Sequence, residues 1–295
     1  MLRAFGLRPK KRWGQHFLVS RRALTAILAA ADVRPEDTVL EIGAGLGTLT
    51  VELARRAAAV VAVEIDAALL PALRSSAAGF TNVVLIHGDV MRVDLGVISA
   101  GATKVVANLP YAVASPLIVR LLERPGAVRR MVLTIQREVA GRLTASPGGK
   151  DYGALSVAVQ YRADVEVVGR IPASGFYPPP EVESAIVRVE VLDRPRVATP
   201  DEAALFRVVR AAFAQRRKML RNTLAAGLAI APPEAERACA AAGLDPRRRG
   251  ETLSLEEFAA LAAALAHTGL GPRASGTGSR RDVTTPDARR PTPDR

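Results

Sequence analysis

Thr38-Val39-Leu40-Glu41-Ile42 runs straight into Gly43-Ala44-Gly45-Leu46-Gly47, and no other stretch of this 295-residue chain constrains its fold as tightly. The short apolar run reads as a buried strand, and Thr48 to Arg56 then carries a helical pattern. Glycines between the two permit a tight turn and let a ligand approach the backbone closely. A second strand, Val60-Val61-Ala62-Val63, ends in Glu64-Ile65-Asp66, about 20 residues past the loop, where a carboxylate can take both hydroxyls of a ribose. Further runs follow: Asn82 to Ile86 leading into His87-Gly88-Asp89, Lys104 to Ala107, Met131 to Ile135, and roughly Val165 to Ile171 and Ala185 to Leu192. Strands alternating with helical stretches predict a parallel α/β sheet, whose ligands sit at the carboxyl ends of the strands. Glu41, Glu64, Asp89 and Asn108 all fall at such ends.

The loop spacing is G-x-G-x-G, whereas a dinucleotide pyrophosphate is seated by G-x-G-x-x-G. With Glu41 just ahead of it, a loop built on Gly43 and Gly45 suits a ligand that carries positive charge and no phosphate. S-adenosylmethionine, with its sulfonium and amino group, fits that description; a nucleotide-dependent oxidoreductase is the competing reading. Asp89 could accept from the amine of the cofactor's adenine, or be a plain turn aspartate. Asn108-Leu109-Pro110-Tyr111 places an amide, free carbonyls and an aromatic face at a strand end. An adenine N6 is a poor nucleophile because its lone pair is delocalised into the ring, so an enzyme that alkylates it must accept hydrogen bonds from its N–H groups. The Asn108 side chain and the Leu109 carbonyl, ahead of a proline that has no N–H, could do so, although the same tetrapeptide also serves as a simple exit from a strand.

These motifs, together with Lys11-Arg12-Trp13-Gly14-Gln15-His16-Phe17-Leu18 and Phe176-Tyr177-Pro178-Pro179-Pro180, occur in the order and spacing of a known family. Over residues from about 10 to 267 the chain resembles the ribosomal RNA adenine N6,N6-dimethyltransferases. Phe213-Ala214-Gln215-Arg216-Arg217-Lys218 and Glu251 to Glu256 are most similar to the bacterial branch that modifies two adjacent adenines in the 3′-terminal hairpin loop of small-subunit rRNA. The antibiotic-resistance branch, acting on large-subunit rRNA, shares the catalytic motifs but is less similar toward the C-terminus. The resemblance implies a seven-stranded Rossmann-like, S-adenosylmethionine-dependent methyltransferase domain with a small C-terminal helical domain. It implies that His16, Leu18, Gly43, Glu64, Asp89 and Asn108 contact the cofactor, and that Phe176 stacks on the target base opposite Tyr111. Residues 1–195 are then expected to form the N-terminal arm and methyltransferase domain, and residues 200–267 the helical one. His16 stands where the family often has Asn, and Met219 where it often has Thr. Some relatives on this fold are non-catalytic assembly factors, a reading that intact Asn108, Tyr111 and Glu64 disfavour.

Charge agrees with an RNA partner. Lys and Arg number 41 against 29 Asp and Glu, a formal +12, and the excess is clustered. Clusters lie at Arg8 to Arg12, Arg21-Arg22, Arg129-Arg130, Arg216-Arg217-Lys218 with Arg221, and Arg247 to Arg249. One such cluster is a solvated face; five point to a phosphate footprint. Arg216, Arg217, Lys218 and Arg221, read as lying on one helix within Asp201 to Leu228, are the expected RNA contacts. A second helical stretch is expected over Pro233 to His267. The last residues, 271–295, rich in Pro, Gly, Ser, Thr and Arg, read as a disordered tail.

Other features bound the answer. A single cysteine, Cys239, excludes an internal disulfide and suits a reducing compartment. The three histidines share no metal-ligand spacing, so no metal site is expected. No apolar stretch is long enough to span a bilayer. The first acidic residue is Asp32, as in an organellar transit peptide, but the motif from Gly14 to Leu18 begins too early for a removable leader. The expectation is a cytoplasmic, monomeric enzyme whose partners are rRNA and the small ribosomal subunit, with no membrane association.

Overall fold

A computed structural model of the chain describes residues 2–10, 13–99, 101–123 and 126–267. The expected tail at 271–295, and Lys11 and Arg12 of the first basic cluster, lie outside the described residues. The chain opens with β1 (Phe17–Leu18) and α1 (Arg21–Ala31), then β2 (Thr38–Ile42), α2 (Thr48–Ala54), β3 (Ala59–Glu64), α3 (Leu70–Ala77), β4 (Val83–His87) and α4 (Leu95–Ile98). There follow β5 (Lys104–Asn108), α5 (Ala114–Glu123), β6 (Arg130–Gln136), α6 (Arg137–Thr144), α7 (Ala154–Gln160), β7 (Ala163–Ile171), β8 (Phe176–Tyr177) and β9 (Ser184–Val191). Four helices complete it: α8 (Glu202–Phe213), α9 (Leu220–Leu228), α10 (Pro232–Ala241) and α11 (Leu255–His267).

Seven strands form one sheet in the order β4-β3-β2-β5-β6-β9-β7. The seven runs read from the sequence are those strands, shifted by a residue or two at the ends. Strands β2 to β6 run parallel, but β9 is antiparallel to both β6 and β7, which corrects the expectation of a parallel sheet. The physical reason is connectivity: the link from β7 to β9 contains no crossover helix, and without one the chain can only return antiparallel.

Both faces of the sheet are covered, which is why its central strands are largely apolar. Leu40, Val105, Met131 and Leu133 pack with Leu117, Ile118 and Leu121 of α5 on one side. Their strand neighbours Val39, Val106 and Val132 pack with Ile27 of α1 and Leu53 of α2 on the other. From β2 the chain winds outward through β3 to β4, then returns to place β5 and β6 on the opposite flank. The turnover point lies between β2 and β5, where open α/β sheets leave a crevice for ligands.

The four last helices enclose a second core of Leu205, Val209, Leu224, Cys239, Phe258 and Leu261, joined by Tyr152, Val157 and Tyr161 from the α7 region. The Tyr152 hydroxyl donates to Leu253 O at 3.0 Å, tying the two parts together. The helix expected from Asp201 to Leu228 is two helices, with residues 214–219 in turns between them. Tertiary bonds set the break: the Leu220 and Arg221 amides donate to Arg248 O (2.7 Å) and Pro246 O (3.1 Å) in place of intrahelical carbonyls.

At the crossing of α8 and α9 a Cβ on Gly227 would lie 2.6 Å from Ala211 Cβ and 2.8 Å from its Cα. Alanine normally stabilises a helix by about 1 kcal/mol over glycine. Here the two backbones would have to part, and overpacking of that kind costs about 1–3 kcal/mol. Gly227→Ala should therefore lower the melting temperature, measured by circular dichroism; an increase would show that the crossing has slack.

Candidate active site

Three glycines of the loop after β2 adopt left-handed backbone, with φ of +77° at Gly43, +58° at Gly45 and +84° at Gly47. Side chains rarely tolerate that region, so the sequence spacing is a conformational requirement. The loop's N–H groups are already committed. Those of Gly43 and Ala44 donate to Val63 O, that of Gly47 to Ala44 O, and that of Gly45 to Glu64 Oε2 at 2.8 Å. A phosphate site needs N–H groups aimed at the ligand. With four of five spent internally, the loop is not a pyrophosphate cradle, and the oxidoreductase reading loses its footing.

Glu64, at the end of β3, is buried and accepts from Asp66 N at 2.8 Å as well as from Gly45 N. Burial raises its pKa against the pull of those two amides. Asp66 in turn receives Lys10 Nζ at 2.7 Å and Gln15 Nε2 at 2.8 Å, which outweigh its own burial and lower its pKa. Lys10 belongs to the first basic cluster and Gln15 to the arm motif, but the sequence alone gives neither a role at Asp66. They anchor the N-terminal arm across the strand ends.

The arm reaches the end of β5. Asn108 Nδ2 donates to His16 O at 3.0 Å, which commits the amide nitrogen and leaves Oδ1 as an acceptor. The adjoining Leu109 amide donates to Thr134 O at 3.1 Å, and the Leu109 carbonyl accepts no bond among the described residues. His16 Nδ1 sits 2.8 Å from Pro178 O. A carbonyl can only accept, so Nδ1 carries hydrogen and a neutral His16 presents Nε2 as an acceptor. The His16 ring stacks on Tyr111 with centroids 5.8 Å apart and planes 22° from parallel. The Tyr111 hydroxyl pairs with buried Ser184 Oγ at 2.8 Å, fixing the ring's orientation, and burial raises its pKa.

Two cavities, of about 80 and 450 Å3, share walls made by Gly14, Gly43, Ile65, Pro110 and Tyr111 and form one trough along the strand ends. His16, Gly45, Glu64, Asn108, Leu109 and Phe176 line the smaller part. Asp89 lines the larger, beyond an apolar stretch of Val63, Ile65, Val90 and Met91. The structure thus brings together every residue proposed for cofactor or base except Leu18. That side chain lines a separate surface depression, although Leu18 pairs with Phe176 in the two-stranded β1–β8 ribbon. This ribbon, two residues per strand, was not expected.

Of the basic cluster, Arg216, Arg217 and Lys218 lie on the turns joining α8 to α9, and Arg221 lies in the first turn of α9, so the four do not share one helix. Arg216 is held by Glu251 (3.2 Å) and Lys150 O (2.8 Å), and Arg221 by Glu236 (2.6 Å), whereas Arg217 and Lys218 are exposed and make no ion pair among the described residues. Cys239 is buried and reduced. Among the described residues no group of three metal-ligating side chains converges, and no helix is long and apolar enough to cross a membrane.

Behind the loop, Glu41 is fully enclosed in β2 and its Oε2 has no hydrogen-bond partner. Burial pushes its pKa up to about 8; nearby Thr50, without a well-aligned bond, pulls it down, and the Glu64 carboxylate adds to the rise. An acid whose folded pKa exceeds its unfolded one holds an extra proton when folded. Stability from this group is full below pH 4.5 and is lost as pH rises to about 8, by at most about 1.4 kcal/mol per pH unit. Chemical denaturation at pH 5, 6.5 and 8 should show wild type losing stability relative to Glu41→Gln; parallel profiles would mean Glu41 does not titrate there.

The family described as ribosomal RNA adenine dimethylase matches residues 6–266. A ribosomal RNA small subunit methyltransferase A of Moorella thermoacetica is 47% identical over 277 residues, spanning 90% of this chain and 96% of the relative. One from Geobacillus kaustophilus is 46% identical over 275 residues, 90% of this chain and 94% of its own. Among solved structures, a dimethyladenosine transferase from Plasmodium falciparum superposes with a TM-score of 0.73 at 26% identity, covering 86% of this chain and 98% of that one. The 23S rRNA methyltransferase ErmE gives 0.63 at 26% identity, covering 85% and 99%.

Proposed function

Because the chain belongs to the ribosomal RNA adenine dimethylase family and is an S-adenosylmethionine-dependent rRNA adenine dimethyltransferase, we propose that its target is small-subunit rRNA. Two adjacent adenines of the 3′-terminal hairpin loop are the substrate, and modification accompanies small-subunit biogenesis. Relatives named for the small subunit match at 46–47% identity across 90% of this chain, while the large-subunit enzyme ErmE is 26% identical.

The trough fits the cofactor. Glu64 would accept from the ribose hydroxyls, the apolar stretch around Ile65 would take the adenine ring and Asp89 its amine, while Gly43 and Gly45, which line the same trough, keep side chains out of the way. His16 and Asn108 border the remainder, and Leu18 would contribute only through the ribbon that holds Phe176. When bound, S-adenosylmethionine supplies an electrophilic sulfonium methyl.

The observation that carries the reading is the orientation of Asn108. Its nitrogen is spent on His16 O, so Oδ1 and the Leu109 carbonyl both accept, and both can draw on an adenine N6. Accepting from the two N–H groups turns the nitrogen toward tetrahedral geometry and frees its lone pair. The N6 proton becomes acidic only after methylation, so no base is needed before attack. Tyr111 and Phe176 would hold the extruded base, at about 1–3 kcal/mol of stacking, which offsets the few kcal/mol of unstacking.

On this reading residues 1–195 bind cofactor and base, and residues 200–267 add basic surface. Arg217 and Lys218 are free to meet phosphate; Arg216 and Arg221 would have to share with Glu251 and Glu236. The enzyme acts as a cytoplasmic monomer. Transfer of labelled methyl groups to unmodified small subunits, with large subunits alongside, tests the proposal. Label should enter small-subunit RNA, and label confined to large-subunit RNA would reverse the assignment.

A further inference from the structure

We propose that Ser184 and the His16 ring are positioning residues for methyl transfer: between them they hold the Tyr111 ring in the one orientation that meets the target adenine. The proposal deepens the reading of Tyr111 as a stacking face for the base and rests on it.

Tyr111 needs such help because of where it stands in the chain. It lies in the turn between β5 and α5 and is only half-buried, at the wall of the trough. A tyrosine side chain has two free torsions, and in a turn neither is set by a strand ladder or a helix face.

Ser184 fixes where the ring points. Its Oγ pairs with the Tyr111 hydroxyl at 2.8 Å. Ser184 is fully buried at the start of β9, in register with Gln136 of β6 on one side and Ile171 of β7 on the other. A short side chain on a strand flanked by two others is a fixed point, so the far end of Tyr111 is pinned. The hydroxyl lies on the long axis of the ring, however, and a bond on that axis leaves rotation about it free.

His16 sets the rotation. Its ring stacks on Tyr111 with the planes 22° apart, and it is itself held, because Nδ1 donates to Pro178 O at 2.8 Å. With one face of Tyr111 covered by His16, the other is left for the base. Asn108, which acts on the same base, is tied to the His16 carbonyl. Stacking face and N6 acceptor are therefore held in a fixed relation before RNA arrives, which spares the entropy of ordering the ring as the base docks.

Single-turnover transfer under saturating cofactor and RNA, with KM for RNA measured alongside, provides the test. Ser184→Ala should slow transfer about threefold to tenfold, the cost of ordering one side chain, while KM stays within about twofold because phosphate contacts set RNA affinity. If Ser184 acts only through the hydroxyl, Tyr111→Phe should lose the same factor and the double variant no more. His16→Ala should slow transfer by a similar factor, and saturating cofactor removes any part due to weaker cofactor binding. A wild-type rate in Ser184→Ala or His16→Ala, or a Ser184→Ala loss that multiplies with that of Tyr111→Phe, would overturn the brace. Hairpin RNA with 2-aminopurine in place of the target adenine reads the brace without methyl transfer, since that base has no N6 amine. Wild type should quench it by stacking, the Ser184→Ala and His16→Ala variants less so, and equal quenching in all three would also overturn the brace. A wild type that quenches but transfers no methyl group to small or large subunits would overturn the functional reading instead, since the fluorescence decides the brace by itself.

Discussion

Asn108→Ala should reduce methyl transfer by a factor on the order of 10^2–10^3, as removal of one hydrogen-bonding group aimed at a transition state commonly does. The substitution removes the oriented Oδ1 acceptor and also the Nδ2 bond that pins the arm at His16 O. RNA affinity, set by phosphate contacts elsewhere, should change little, while cofactor affinity falls modestly because Asn108 borders the same trough. Single-turnover transfer under saturating cofactor and RNA separates these effects. Asn108→Asp gives a sharper contrast: it keeps an acceptor but sets a carboxylate against the His16 carbonyl, so the arm is repelled. A wild-type rate in Asn108→Ala would remove the proposed role in preparing N6.

Cofactor binding should be most sensitive at Glu64. Its carboxylate accepts from Gly45 N and Asp66 N and on this assignment also from the ribose hydroxyls. Hydrogen bonds to a charged group are worth about 1.5–3 kcal/mol each, so Glu64→Ala should weaken S-adenosylmethionine by about tenfold to a hundredfold. Glu64→Gln should fare little better. Two backbone donors converge on the carboxylate, and an amide offers an oxygen to one of them while turning its own N–H groups on the other. Calorimetric titration of both variants decides it, and near wild-type affinity in Glu64→Ala would place the ribose elsewhere.

Local pattern carried the reading where local physics sets the structure. Gly43, Gly45 and Gly47 were visible because left-handed backbone demands glycine, and Glu64 because the crossover from loop to next strand end has a narrow range of lengths. Asn108 was placed at a strand end because β5 is buried on both faces and so unmistakably apolar. What pattern could not show was tertiary. The β1–β8 ribbon has two residues per strand, too few for any periodicity. The bend at 214–219 comes from carbonyls of Pro246 and Arg248, far along the chain. Charge density marked Arg216 and Arg221 alongside Arg217 and Lys218, yet distant carboxylates engage the first two only. His16 shows the limit of resemblance. It was expected at the cofactor, and it borders that trough, but its carbonyl also orients Asn108 and its ring packs on Tyr111.

The most direct measurement is mass-spectrometric mapping of N6,N6-dimethyladenosine in rRNA from cells with and without this protein. Two adjacent adenines in the 3′-terminal hairpin loop of small-subunit rRNA should carry both methyl groups in the first and none in the second, and re-expression of wild type but not Asn108→Ala should restore them. Full dimethylation of those adenines in cells lacking the protein, or a loss confined to large-subunit rRNA, would contradict the assignment.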